Sequence, residues 1–169
     1  MKISQFITGP EDKFGNKKIV NLKNVSNIAF EHYTNRDGDL EYKIIFNFNY
    51  FVSLRNNFQK HIPDYTYFIT EDKKVYDAYV DTLDNLINSY NWIAPLIDGR
   101  VSRIANPDCI GFISTDPRKN RIILNLNTSV SFYNNVDRIT SDFIYLDFKD
   151  PEEYKENLEY IKGQLETEL

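Results

Sequence analysis

Lys43-Ile44-Ile45-Phe46-Asn47-Phe48-Asn49-Tyr50-Phe51-Val52-Ser53-Leu54 decides the fold, because the chain repeats it as Arg121-Ile122-Ile123-Leu124-Asn125-Leu126-Asn127-Thr128-Ser129-Val130-Ser131-Phe132. Six of the twelve positions are identical, at an offset of 78 residues. The same offset carries Asp64, Tyr67, Asp72 and Tyr76 onto Asp142, Tyr145, Asp150 and Tyr154. Upstream, Asn24, Ile28 and Phe30 align with Asn106, Ile110 and Phe112 at an offset of 82, the change falling in the longer loop Tyr33 to Asp39 of the first copy. Loop tips absorb insertions best. The pattern reads as a tandem duplication, and two units are too few for a solenoid, so a closed pseudo-twofold body is expected.

Within the quoted stretch hydrophobicity alternates with period two. Ile44, Phe46, Phe48, Tyr50, Val52 and Leu54 share one face, and Lys43, Ile45, Asn47, Asn49, Phe51 and Ser53 share the other. The second copy sets Ile122, Leu124, Leu126, Val130 and Phe132 against Arg121, Ile123, Asn125, Asn127, Ser129 and Ser131. Each unit is thus an antiparallel sheet with one apolar face.

Before it, Met1 to Thr8 reads as an edge strand ended by Gly9-Pro10. Ile19 to His32 reads as the first repeated strand, with Ile19, Leu22, Val25, Ile28 and Phe30 as its apolar positions. Arg36-Asp37-Gly38-Asp39 is a hairpin turn. After it, Arg55 to Pro63 reads as a loop, and Asp64 to Ile69 and Asp142 to Phe148 as the last strands of the two units.

A helix follows each. Asp72 and Asp150 are N-caps, Pro151 suits the first helical position, and Glu152 and Glu153 complement the helix dipole. The connector Trp92 to Gly99 is apolar enough to pack, and Arg100 to Ala105 is expected to start the second sheet. The expected fold is α+β, an antiparallel unit ββββα used twice. Repeats at 1–95 and 96–169 form one compact domain.

The chain has 169 residues, ordinary hydrophobic content and a net charge of −5, which argues against broad duplex binding driven by many phosphate contacts. Single-strand binding is not excluded, because stacking supplies much of its free energy. One cysteine, Cys109, permits no internal disulfide and reads as a small buried hydrophobe. No apolar run reaches transmembrane length and no signal-peptide core follows Met1, so a cytoplasmic protein is expected, bacterial or in the host cell of a phage, given the Asn-, Lys- and Ile-rich composition of an AT-rich genome.

Catalytic signals are weak. His32 and His61 stand in non-equivalent places without metal-ligand spacing, and no phosphate loop or nucleophile elbow is present. Asp64 and Asp142 are the best acid–base candidates, although capping a turn into the last strand explains them better. No cofactor and no enzymatic activity are expected.

The polar sheet face is more informative. Asn is disfavoured in strands, yet Asn47, Asn49, Asn125 and Asn127 recur at equivalent places, so they are candidates to bond bases or sugars. If Phe68, Ile144, Leu146 and Phe148 face the helix, Tyr65, Tyr67, Phe143 and Tyr145 face outward, where aromatics stack on unpaired bases or serve protein interfaces. Lys43, Arg55, Arg118, Lys119 and Arg121 are the candidate phosphate contacts. From Asp147 to Leu169 eight acidic side chains face three basic ones, so the last helix should point away from nucleic acid.

A strand-rich unit closed by one helix and doubled in one chain resembles the Whirly family and the related positive-cofactor-four type of single-stranded DNA-binding fold. The strand-into-helix step Tyr145-Leu146-Asp147-Phe148-Lys149-Asp150-Pro151-Glu152-Glu153-Tyr154 carries the likeness; the Lys-Gly-Lys-Ala-Ala-Leu strand motif of plant members is absent, and the nearest strand positions carry Lys43-Ile44-Ile45-Phe46 and Arg121-Ile122-Ile123-Leu124. The resemblance implies non-enzymatic binding of single-stranded DNA or RNA across the sheets, as in phage-encoded members serving DNA replication or recombination. It also implies a homo-oligomer, dimer or tetramer, built through the helices. The alternative is a protein-interaction module, such as a phage-encoded inhibitor or host-takeover factor.

Overall fold

The computed structural model describes residues 6–11, 15–54, 57–132 and 135–166, with the backbone path alone at 50–54, 57–63, 86–88, 128–132, 135–141 and 166. In chain order β1 (Phe6–Thr8) and β2 (Ile19–Asn21) pair antiparallel; a 3-10 turn at Leu22–Asn24 leads into β3 (Val25–Thr34), β4 (Leu40–Leu54) and β5 (Asn57–Thr70), then helix α1 (Lys73–Tyr90). The second half runs through β6 (Leu96–Ile97), β7 (Arg100–Val101), β8 (Arg103–Ala105), a 3-10 turn at Pro107–Cys109, β9 (Ile110–Asp116), a 3-10 turn at Pro117–Lys119, β10 (Arg121–Phe132), β11 (Asn135–Asp147) and helix α2 (Pro151–Glu166). The protein is a mixed α+β fold of antiparallel sheets and two helices. The larger sheets have the strand orders β5-β4-β3-β8 and β11-β10-β9.

Local chemistry accounts for these elements. Asp72 caps α1 by accepting from the Lys74 N–H, and Asp150 caps α2 by accepting from the Glu152 N–H at 2.9 Å. Asn91, in the left-handed region at φ 54°, ends α1. In the β3–β4 hairpin Asn35 accepts from the N–H groups of Asp37 and Asp39, and Gly38 takes φ 91°.

Two cores result. Val25, Ile28, Ile44, Phe46, Phe68, Leu83, Trp92 and Ile104 form the first, and Ile93, Ile122, Leu124, Ile144, Leu146, Phe148, Tyr154 and Ile161 the second. The expected inward face of the quoted stretch holds at Ile44, Phe46, Ile122, Leu124 and Leu126, all buried. The side chains of Val52, Leu54, Val130 and Phe132 lie outside the described residues. The connector packs as expected, with Trp92 and Ile93 buried. Complete burial of a side chain such as Phe46 contributes about 1.5–3 kcal/mol.

The two long hairpins share one register. Lys43, Ile44, Ile45, Phe46 and Asn47 pair with Ile69, Phe68, Tyr67, Thr66 and Tyr65; Arg121, Ile122, Ile123, Leu124 and Asn125 pair with Asp147, Leu146, Tyr145, Ile144 and Phe143. The pairing breaks at two equivalent places in each: between Asn47 and Phe51 and between Asn125 and Ser129, resuming at Phe51 with Pro63 and Ser129 with Ser141, and again between Ser53 and Leu54 and between Ser131 and Phe132.

Several expectations need correction. Strand pairing from Asn57 onward occupies most of the stretch expected as the loop Arg55 to Pro63. Ile19 to His32 is not one strand, because Asn21 accepts from the Lys23 N–H and caps a 3-10 turn; Ile19 is exposed. The upstream offset is 85 rather than 82. Val25 sits opposite Phe48 and Ile110 opposite Leu126, each beside a bulge, and Asn106 caps its turn as Asn21 does. Finally, β8 does not start the second sheet. Asn27, Ile28 and Ala29 pair with Ala105, Ile104 and Arg103, so β8 forms the edge of the first sheet and crosses the 95/96 boundary. The arrangement is therefore four strands and three, not four twice.

Candidate nucleic-acid interface

The face of each sheet turned away from its core carries three aligned rows. In the first sheet they read Asn27–Asn47–Tyr65, Ala29–Ile45–Tyr67 and Glu31–Lys43–Ile69. In the second they read Phe112–Asn125–Phe143, Ser114–Ile123–Tyr145 and Asp116–Arg121–Asp147. Period-two alternation places them on the side opposite Phe68, Ile144 and Leu146, which are buried in the cores, although Asn27 and Ala29 on this side are buried as well.

The aromatics are exposed as expected: Tyr65 55 %, Tyr67 37 %, Phe143 41 % and Tyr145 48 %. Their surroundings are paired too. Lys43 Nζ stands 4.5 Å from the Tyr67 ring centre and Arg121 Cζ 4.2 Å from that of Tyr145. Such cation–π contacts contribute about 0.5–1 kcal/mol at exposed sites. Phe143 and Tyr145 have ring centres 4.6 Å apart. Lys18 adds a second cation to Tyr67, 4.3 Å from the ring centre, with Nζ donating to the Tyr67 carbonyl at 3.0 Å.

The cations differ in availability. Arg121 forms a two-point ion pair with Asp147, its Nη2 donating at 2.9 Å, and the carboxylate holds its pKa above the ordinary guanidinium value. Among the described residues no carboxylate lies within ion-pairing distance of Lys43 Nζ. Arg118 and Lys119 are exposed on the β9–β10 turn, with Lys119 Nζ 3.7 Å from Asp116. Arg55 lies outside the described residues.

The asparagines are engaged within the fold. Asn47 Nδ2 donates to Asn27 Oδ1 at 3.0 Å, and Asn125 Nδ2 to Ser114 Oγ at 3.1 Å. Asn127 Nδ2 donates to the Asp108 carbonyl at 3.3 Å, and Asn49 lies beside the Cys109 thiol. They brace strand irregularities, where the ladder leaves backbone groups without strand partners. Asn49 and Asn127 remain exposed at the surface.

Asp64 and Asp142 do not cap turns. Each sits in mid-strand opposite the first register break and accepts from the next N–H, that of Tyr65 or Phe143, at 2.9 Å. Burial raises the Asp142 pKa, opposed by the Phe143 N–H and by the charge of Arg103. Among the described residues no three His, Cys, Asp or Glu side chains are grouped to hold a metal ion, and no helix is long and apolar enough to cross a membrane. Cys109 is buried, and burial pushes its thiol pKa up.

Sequence reasoning passed over Phe112, 56 % exposed beside Asn125 and Phe143. The missing signal was the bulge at Gly111, which shifts the alternation of β9 by one. On the helix side a cleft of about 690 Å³ is lined by Asp84, Glu153 and Glu156 with Leu96, Val101 and Tyr160. Its carboxylates repel a polyanion. No family model, no curated protein and no solved structure matches the chain.

Proposed function

We propose that this protein binds single-stranded nucleic acid, DNA or RNA, without catalysing a reaction. Bases stack on Tyr65, Tyr67, Phe143 and Tyr145, and Lys18, Lys43, Arg118 and Lys119 meet phosphates. The observation that carries the reading is the doubled pair of an exposed tyrosine and a cation beside it, Tyr67 with Lys43 and Tyr145 with Arg121. Aromatic platforms flanked by cations suit single strands because every base has a stacking face. The shared register of the two long hairpins and the twin capping asparagines support descent from one duplicated unit with pseudo-twofold symmetry. A Whirly-like or positive-cofactor-four-like origin belongs to the same proposal.

The test is fluorescence anisotropy of labelled single- and double-stranded oligonucleotides over a salt series. Single-strand preference that weakens with salt and drops at least tenfold in Tyr67→Ala/Tyr145→Ala supports the reading. Absence of binding at low salt, or unchanged affinity in the double variant, overturns it.

One observation favours a protein partner instead. Arg121 and Lys119 are held by Asp147 and Asp116, and the chain is acidic overall. Exposed aromatics with neutralised charge suit a protein surface. Under that reading the tyrosine variants lose a protein partner and never bound an oligonucleotide.

A further inference from the structure

The outer edge of β9 stands out once the two sheets are compared. In the first sheet the equivalent strand β3 is covered: the Phe30 N–H donates to the Ser102 carbonyl, and the Asn106 N–H to the Ser26 carbonyl, each at 2.8–2.9 Å. Ser26, Ile28 and Phe30 therefore turn their backbone groups to β8, while Asn27 and Ala29 turn theirs to β4. At the offset of 85, Gly111, Ile113 and Thr115 turn theirs out of the edge of β9. Among the described residues no strand pairs there. The segment equivalent to β8 is β2, which is held by β1.

This edge also lacks the usual protection. The other outer edges of the two larger sheets carry it: β5 contains Lys60, Pro63 and Asp64, β11 contains Asp137, Arg138 and Asp142, and β8 is three residues long and contains Arg103. In β9 the one charge is the terminal Asp116; Ile110-Gly111-Phe112-Ile113-Ser114-Thr115 has no charge and no proline, and Phe112 is 56 % exposed. Charges and prolines are what keep a strand edge from pairing with another chain.

We propose that β9 pairs antiparallel with β9 of a second copy, joining two three-stranded sheets into one of six. Ile113 lies opposite its own twofold mate, which places Gly111 opposite Thr115 and Phe112 opposite Ser114. A twofold edge contact is self-complementary, so one surface satisfies both partners. Charge selects this occupant. Asp108 and Arg118 each stand five residues from Ile113, on opposite sides and just past the ends of β9, so the same register brings the turn that carries Asp108 in one copy beside the turn that carries Arg118 in the other, at both ends of the contact. Both side chains are exposed in the 3-10 turns that flank β9. The site is distinct from an oligomer built through the helices, and it does not depend on what the sheet faces bind.

Sedimentation equilibrium of the full chain tests it. The wild type is expected to dimerise. Thr115→Pro removes an outward N–H without emptying the core, and should raise the dimer dissociation constant tenfold or more. Arg118→Asp and Asp108→Arg should each weaken the dimer several-fold, and the double swap Asp108→Arg/Arg118→Asp should restore it. These positions lie on exposed turns, so the swap remains informative if Thr115→Pro perturbs folding. A wild type that stays monomeric, or a dimer indifferent to the charge swaps, overturns the proposal.

Discussion

Arg103 Nη1 donates to Asn27 Oδ1 at 3.3 Å, joining residues 76 apart in the chain. Asn27 is 3 % exposed and is the hub of a small polar network. Its Oδ1 also accepts from Asn47, and its Nδ2 donates to Ser26 Oγ, which in turn donates to the Asn47 carbonyl. The network fastens β8 of the second half into the first sheet, beside the bulge. Asn27→Ala leaves Arg103 and Asn47 without their acceptor, and a half-buried donor without a partner costs about 1–3 kcal/mol. Urea denaturation should show a loss of that size, and an unchanged midpoint would mean that the network adds nothing.

Gly9 makes a tighter steric prediction. A Cβ on Gly9 would lie 2.5 Å from two ring carbons of Phe68, inside the first core. Phe68 is held between Phe46 and Tyr79, with ring centres 4.7 and 5.6 Å away, so it has little room to retreat. Gly9→Ala should cost about 1–3 kcal/mol by overpacking. Gly38→Ala meets nothing within 4 Å, and its cost comes from φ 91° alone. Thermal melts of the two variants separate packing from backbone strain.

Period and caps made much of this legible in the sequence. Alternation in Lys43 to Asn49 and Arg121 to Asn127 set the buried and outward faces, and Asp72 and Asp150 marked where the helices begin. What the sequence hid is long-range or irregular. Nothing local to Arg103-Ile104-Ala105 says that it pairs with β3, because strand partners are chosen by the whole fold. The bulges at Ser26 and Gly111 insert a residue that shifts the alternation, which is how Phe112 escaped notice and how an offset of 82 stood in for 85. The asparagines are unusual for strands. The groups beside them, Asn27, Cys109, Ser114 and the Asp108 carbonyl, lie on other segments and could not be read from spacing.

The equivalent cations should not contribute equally to oligonucleotide binding. Arg121 is paired with Asp147, whereas Lys43 faces Tyr67 with no carboxylate in ion-pairing reach among the described residues. Lys43→Glu should weaken single-strand affinity more than Arg121→Glu. Asp147→Asn should raise affinity and steepen its salt dependence by about one phosphate contact. Equal losses at Lys43 and Arg121, with no gain in Asp147→Asn, would count against the outward faces as the binding surface.

Asp142 gives the pH dependence. Burial raises its folded-state pKa above the ordinary carboxylate value, more than the Phe143 N–H and Arg103 lower it. The native state therefore holds the proton more tightly than the unfolded chain in the window between the two pKa values. Stability falls as pH rises through that window, and at neutral pH the charged carboxylate is a net cost. Asp142→Asn keeps an oxygen to accept from the Phe143 N–H and removes the buried charge. It should melt at or above the wild-type temperature at pH 7. Its advantage should shrink as the pH falls, because protonation then relieves the same cost in the wild type. A variant that melts lower than wild type at pH 7 would show instead that the attraction between Asp142 and Arg103 outweighs burial.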